Sequence, residues 1–208
     1  MYKRQGDLNP RAKEFVQTIS SNGLKILTLI DNFLTSCKID AGKLAIYPRD
    51  VNLQYLIEDL ITMFQVELER NHLSLETKLA EGLPSIRGDE SLLYRAMANV
   101  FSNACKFTPP EGTITLRTSV LEAARSPLER FSVKIEVSNT GPGIPSEDLD
   151  SIFDKFRRSP AHSGVEGTGI GSYVLQRVIE AHGGTVSAAS VPNSLTTFSI
   201  LLPVEANT

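Results

Sequence analysis

"NVFSNACKFTP", residues 99–109, is the stretch on which the reading of this chain turns. It closes a segment in which Leu93, Ala96, Met97, Val100, Phe101 and Ala104 recur at helical spacing. Asp89 is placed to cap that helix, and Pro109 stops it. Beside the apolar stripe, Asn99, Asn103 and Lys106 stand at i, i+4 and i+7 and so share one face. An amide oxygen is a hard, neutral ligand suited to Mg²⁺, which keeps several waters and binds substrate phosphates; an ammonium offsets phosphate charge. Polar residues on a helix flank are ordinarily just solvated, so this spacing alone does not separate the two readings.

Downstream, strands are expected at residues 113–120 and 131–137, followed by "VSNTGPGIP" at 137–145. Asn139 falls at the strand end, and Gly141 and Gly143 let the backbone approach a flat ligand, although glycine and proline also punctuate ordinary turns. "FDKFRR" at 153–158 offers two aromatics for packing and three cations. "GTGIG" at 167–171 leads into a helix over about 169–182, whose free N–H groups can hold phosphate oxygens. Gly183 and Gly184 end that helix, and strands at 185–189 and 197–202 follow. Upstream, Leu56, Ile57, Leu60, Ile61 and Phe64 mark a helix, with a strand from Leu73 to Leu79. Helices interspersed with mostly hairpin-connectable strands predict an α+β fold, a two-layer sandwich.

An apolar heptad seam runs through Val16, Ile19, Ile26, Ile30, Phe33 and Cys37, interrupted by Gly23, so one long helix precedes the sandwich. Leu24, Leu27 and Leu34 widen the stripe toward a bundle of several helices, and Gly42 is placed to cap its end. The expected organisation is 6–43 for this helix and 44–208 for the second unit. Met1 to Gln5 match translated library adaptor as well as they match a short basic tail; on the adaptor reading, native protein begins at about Gly6 and continues upstream.

At 208 residues, 41% apolar and 22% charged, the chain can bury one good core with a helical appendage. A net charge of −3 without a Lys/Arg run gives no footprint for nucleic acid or anionic membrane. The apolar stretch at 24–34 is broken by Lys25, Asp31 and Asn32, short of the roughly 20 apolar residues of a membrane span. Cys37 and Cys105 lack metal or disulfide spacing, as expected of a cytoplasmic chain.

In order, "NVFSNACKFTP", "VSNTGPGIP", "IFDKFRR" and "GTGIG" followed by "RVIEAHGG" resemble the N box, first glycine box, F box and second glycine box of sensor histidine kinases. These belong to the GHKL superfamily, and "LIDNFLTSCKIDAGKL" resembles the second helix of the kinase dimerisation hairpin with its exit turn. The resemblance implies a mixed sheet with helices on one face that binds Mg·ATP. It makes Asn103 the Mg²⁺ ligand, Asn99 a nucleotide or metal-shell contact and Lys106 a phosphate contact. Asn139 takes the adenine-recognition position, with Gly141, Gly143 and Ile144 at the base pocket. Gly167, Gly169 and Gly171 hinge a lid over about 157–168, and Phe156, Arg157, Thr168 and Ile170 complete the nucleotide contacts. Asn139 stands where the family more often has aspartate, Ser172 where it has leucine, and "NSLTTFSILLP" lacks a frequent glycine.

The implied activity is transfer of the ATP γ-phosphoryl to a histidine, passed on to a response-regulator receiver by a homodimer joined through the hairpin. The parent is expected to be cytoplasmic or anchored in a membrane outside this chain. His72 reads as a turn residue, His162 as a lid residue and His182 as a helix-terminal residue, where a cation suits the dipole and capping is the usual role. None has the setting of the phosphoacceptor box, so that histidine is expected on a helix this chain lacks. Asp154 and Glu166 read as solvated. Three alternatives stand beside the kinase: a non-catalytic nucleotide-binding signalling module, a serine-directed kinase of the same fold, and a GHKL ATP hydrolase. The hydrolases resemble one another in a glutamate base four residues before the metal-binding asparagine; Asn99 occupies that place and cannot accept a proton from water.

Overall fold

The computed structural model describes residues 9–157 and 167–205. Expectations for Met1 to Gln5, Arg158, His162, Glu166 and most of the lid fall outside the described residues. Helix α1 (Pro10–Asp40) starts where the Asn9 side chain accepts the Ala12 N–H at 2.7 Å, with Pro10 in the first turn. It ends as the capping glycine predicts. Gly42 stands at φ +63°, its N–H reaching the Ile39 carbonyl while Lys43 N–H reaches Lys38.

Next come β1 (Arg49–Val51), α2 (Leu53–Arg70), β2 (Ser74–Lys78), β3 (Ile86–Gly88) and α3 (Glu90–Phe107). Asp89 caps α3, its carboxylate accepting the Leu92 N–H at 3.1 Å, and Thr108 turns extended ahead of Pro109. The chain continues through β4 (Thr113–Leu121), β5 (Ser132–Thr140), the single turn α4 (Ser146–Leu149), α5 (Gly171–Ala181), β6 (Thr185–Val191) and β7 (Leu195–Pro203). The ribbon of β1 and β3 was not anticipated, because three-residue strands are too short to show an alternation. α5 starts two residues later than expected, since Gly169 at φ +68° cannot belong to a right-handed helix.

Five strands form one mixed sheet in the order β2-β4-β5-β7-β6. Hairpins join β4 to β5 and β6 to β7, as their alternation predicts, but β2 lies parallel to β4, with β3 and α3 crossing between them. On one face, Ile114 and Leu116 of β4, Val133, Ile135 and Val137 of β5, and Phe198, Ile200 and Leu202 of β7 are buried against α2, α3 and α5. All six apolar positions read for α3 join this core, and Phe101 stacks on Phe64 of α2 with ring centroids 5.6 Å apart. The opposite face is polar, with Lys134 paired to Glu136 and Ser138 bonded to Thr197. Among the described residues no helix is long and apolar enough to cross a membrane.

His182 caps the end of α5, as expected, but its ring bonds do not fit the cation read for it. Its Nε2 accepts the Asp89 N–H at 2.9 Å and its Nδ1 lies 2.7 Å from the Val178 carbonyl. An acceptor nitrogen carries no proton, so the ring is the neutral tautomer with its hydrogen on Nδ1, tying the end of α5 to the start of α3. A β-carbon on Gly88 would come within 2.9 Å of that ring, which is why the approach is glycine.

Phe101→Ala should cost about 3–5 kcal/mol in urea denaturation, whereas Val66→Ser on the exposed side of α2 should stay within about 0.5 kcal/mol. His182→Ala leaves the Asp89 N–H without its acceptor and should cost about 1–3 kcal/mol in the same experiment.

Candidate functional site

The polar flank of α3 is where the chemistry-bearing segments meet. Gly141 packs so closely on the end of this helix that a β-carbon there would lie 2.5 Å from the Phe107 carbonyl oxygen and 3.5 Å from Asn139 Nδ2. On the other side, a β-carbon on Gly167 would come within 2.7 Å of Lys106 Nζ, and one on Gly171 within 3.5 Å of Asn99 Oδ1. The first glycine segment meets the backbone of α3, which the absence of a side chain at Gly141 permits, and the second lies against the side chains of Lys106 and Asn99. Asn103 and Lys106 are half-buried between them, while Asn99 is buried.

Asn139 ends the inward row of β5, after Val133, Ile135 and Val137, and is only 5% exposed. Its Nδ2 donates to the Thr140 carbonyl at 3.2 Å. Thr196 on β7 lies directly opposite in register and Ser190 on β6 beyond it; Ser190 Oγ sits 2.9 Å from Thr196 Oγ1 and accepts the Ile144 N–H at 2.8 Å. The apolar row thus turns polar across three strands at the edge nearest the glycine loop. Thr196 and Ser190 were missed from the sequence. The signal was the period-two row itself, which continues past the last apolar residue of each strand.

Gly143, at φ +75°, lies where a β-carbon would come within 2.8 Å of the Val191 carbonyl oxygen. Gly169 is equally confined: its carbonyl accepts the Phe156 N–H at 2.9 Å, and a β-carbon would strike the Arg157 carbonyl oxygen at 2.6 Å. Phe156, Thr168 and Ile170 line an open cleft of about 430 Å³ together with Leu29, Ile30 and Phe33 of α1. These three predicted contacts are therefore grouped with the long helix.

The two described cations of the F-box segment, Lys155 and Arg157, are committed to carboxylates. Arg157 Nη2 meets the buried Asp148 at 3.2 Å and its Nε donates to Ser151 Oγ at 3.0 Å. Lys155 Nζ donates to Asp40 Oδ2 at 2.5 Å, and Tyr173 Oη donates to Asp40 Oδ1 at 2.7 Å. Asn99 is likewise engaged: Asn32 Nδ2 donates to its Oδ1 at 2.9 Å and its Nδ2 donates to Asn32 Oδ1 at 3.2 Å. The hydrogen bonds from Lys155 and Tyr173 hold the Asp40 carboxyl below its ordinary 3.8 and raise Lys155 and Tyr173 in turn. Burial pushes the Cys105 thiol up to about 12, so it stays protonated and inert. Asp154 is exposed, as read. Among the described residues no group of three or more His, Cys, Asp or Glu could hold a metal.

The family described as histidine kinase-, DNA gyrase B- and HSP90-like ATPase matches residues 88–206. The chain belongs to this ATPase family. It is 33% identical over 196 residues to the non-motile and phage-resistance protein of Caulobacter vibrioides, covering 93% of this chain and 23% of that protein. It is 32% identical over 176 residues to the adaptive-response sensory kinase SasA of Microcystis aeruginosa, covering 85% of this chain and 44% of that kinase. The chain thus spans less than half the length of these relatives. Its fold matches full-length ShkA, solved in complex with AMPPNP, with a TM-score of 0.74, 22% identity and coverage of 98% of this chain and 41% of that one. In this ATPase-family chain the N box lies on the polar flank of α3, the first glycine box at the polar end of the sheet and the second at the start of α5, while the described part of the F box is held by Asp148 and Asp40. The resemblance to histidine kinase catalytic domains holds at the level of sequence and of fold.

The bonds at Asp40 give a titration with a definite sign. Because its pKa is lowered, the contact is complete above the ordinary carboxylate value and is lost as pH falls through the depressed one. Carboxyl-carbon NMR should place the Asp40 midpoint below 3.8, and Lys155→Ala should raise it.

Proposed function

We propose that this chain is the ATP-binding catalytic unit of a cytoplasmic sensor histidine kinase, with part of its dimerisation hairpin. The observation that carries this reading is the convergence of Asn103, Lys106, the polar sheet end at Asn139 and the two glycine segments on one flank of α3. Asn139 Oδ1 accepts a hydrogen bond from the adenine amino group, with Gly141 and Gly143 admitting the flat base. Lys106 and the N–H groups opening α5 take the phosphates. A single neutral amide at Asn103 suits Mg²⁺, whose remaining ligands come from phosphates and water; when bound, the ion offsets charge on the transferred phosphoryl group.

No histidine stands on α1, so the acceptor imidazole comes from a hairpin helix outside this chain. The stripe of Ile19, Ile26, Leu27, Ile30, Phe33 and Leu34, left exposed on α1, supports a bundle formed with that helix and a second copy. A response-regulator receiver is the onward acceptor. Hydrolysis is disfavoured because Asn99 offers no base for water.

Asn103→Ala should abolish the Mg²⁺-dependent part of fluorescent-nucleotide binding; equal binding by both forms would remove Asn103 from the site. Asn139→Leu should weaken binding by about 1–3 kcal/mol, because a buried amino group is left unpaired. Phosphate release under saturating Mg·ATP should run far below the median enzyme rate of about 10 per second, and a rate near that value would revive the hydrolase. With γ-labelled ATP, acid-labile label should appear only after a histidine-bearing hairpin is supplied, and label on this chain alone would contradict the reading.

A further inference from the structure

The loop between β5 and α4, residues 141–145, belongs to no helix or strand, and Pro142 and Pro145 within it have no N–H to donate. Three hydrogen bonds tie it to one place, the turn of the β6–β7 hairpin. Gly141 N–H donates to the Ser194 carbonyl at 3.1 Å, Asn193 N–H donates to the Pro142 carbonyl at 2.8 Å, and Ile144 N–H donates to Ser190 Oγ at 2.8 Å. The packing there is close: a β-carbon on Gly143 would lie 2.8 Å from the Val191 carbonyl oxygen and 3.1 Å from Ser190 Oγ. The hairpin turn is closed by Ser194 N–H on the Val191 carbonyl at 3.1 Å, with Asn193 left-handed at φ +55°. This is the stretch that lacks the frequent glycine, and asparagine is one of the few other residues that visits this conformation routinely.

Two of these three bonds join backbone to backbone and do not depend on side chains. The third needs a hydroxyl at position 190. A serine oxygen has one hydrogen and two lone pairs. Here it accepts the Ile144 N–H, while Thr196 Oγ1 at 2.9 Å and the Leu195 carbonyl at 3.2 Å stand within bonding distance on β7. Ser190 therefore joins the loop to the polar row that ends at Asn139, which lies opposite Thr196 in register. We infer that Ser190 is a positioning residue for base recognition, its hydroxyl holding the Ile144 N–H so that the glycine loop keeps the spacing from Asn139 that a flat purine requires. This rests on the reading of Asn139 and the glycine loop as the base pocket. The loop has no ladder of its own to keep that spacing, so losing one of three ties loosens it. The second glycine segment is fastened elsewhere, with the Gly169 carbonyl on the Phe156 N–H and Gly167 against Lys106. The effect of Ser190 is accordingly confined to the base end of the site.

Ser190→Ala removes the acceptor and should raise the Kd of a fluorescent ATP analogue with Mg²⁺ by about 3- to 10-fold, the usual contribution of one hydrogen bond. Adenosine, displacing the same probe, should lose a similar factor. Inorganic tripolyphosphate, which has no base, should displace the probe as well as it does from the unaltered chain. Ser190→Thr keeps the hydroxyl and should restore adenosine binding. Asn193→Val puts a β-branched residue at a left-handed turn position and should reproduce the base-selective loss by a separate route. Hydrogen exchange read by NMR should find the Ile144 amide protected in the unaltered chain, although it lies outside every helix and strand, and Ser190→Ala should remove that protection while leaving Ile135 of β5 protected. If Ser190→Ala fails to fold, Asn193→Val and the exchange of the unaltered chain still decide. Adenosine binding unmoved by either variant in a chain that binds nucleotide, or a rapidly exchanging Ile144 amide, would overturn the role of Ser190 and leave the nucleotide site standing. Equal losses for adenosine and tripolyphosphate would also overturn it, since they mark general damage to the fold. Failure of the unaltered chain to bind any of these probes would overturn the site and the role of Ser190 together.

Discussion

The burial of one face of α3 against the inward row of the sheet is the constraint from which the rest follows. Leu93, Ala96, Met97, Val100, Phe101 and Ala104 have one place to go once Ile114, Leu116, Ile135, Val137, Phe198 and Ile200 present a continuous apolar face. An α-helix offers few choices of rotation when so wide a stripe is committed. The flank that carries Asn99, Asn103 and Lys106 is then aimed by the core, at no cost in flexibility to the side chains themselves.

Close approach supplies the second half of the arrangement. Gly141 touches α3 where a β-carbon would collide with the Phe107 carbonyl, Gly167 lies against the mobile end of Lys106, and Gly171 stands at ordinary contact distance from the Asn99 amide. Gly143 and Gly169 adopt left-handed backbone where other residues are strained. Loops built this way present backbone N–H groups at short range to whatever sits above the helix. At Gly141, Gly143 and Gly169 the nearest atoms include backbone, so a substitution there moves the loop and not merely its own side chain.

α1 obeys a different logic. Its apolar stripe is unsatisfied and its polar face is docked, the reverse of what burial alone dictates. Directional polar contacts contribute modestly to stability because water competes for each of them. They are accordingly the contacts that a ligand or a signal can exchange for others.

Much of this was legible in the sequence because it depends on neighbours in the chain. The stripe of α3, the caps at Asp89 and Gly42, the alternation of β4, β5 and β7, and the four boxes are patterns of period 3.6, period 2 or fixed order. The tertiary structure alone decided what depends on which distant groups compete for an atom. His182, read as a cation, is a neutral acceptor because the Asp89 N–H from a different helix arrives at its Nε2. Arg157, expected as a nucleotide contact, and Lys155 beside it are held by Asp148 and Asp40. Thr196 and Ser190 join Asn139 only because register sets them side by side across three strands. Asn99 illustrates the division within one residue. Periodicity alone places it on the polar flank of its helix, but its partner is Asn32, 67 residues away, which no local spacing encodes. Local pattern determines which way a side chain faces; the packing of separate elements determines what it finds there.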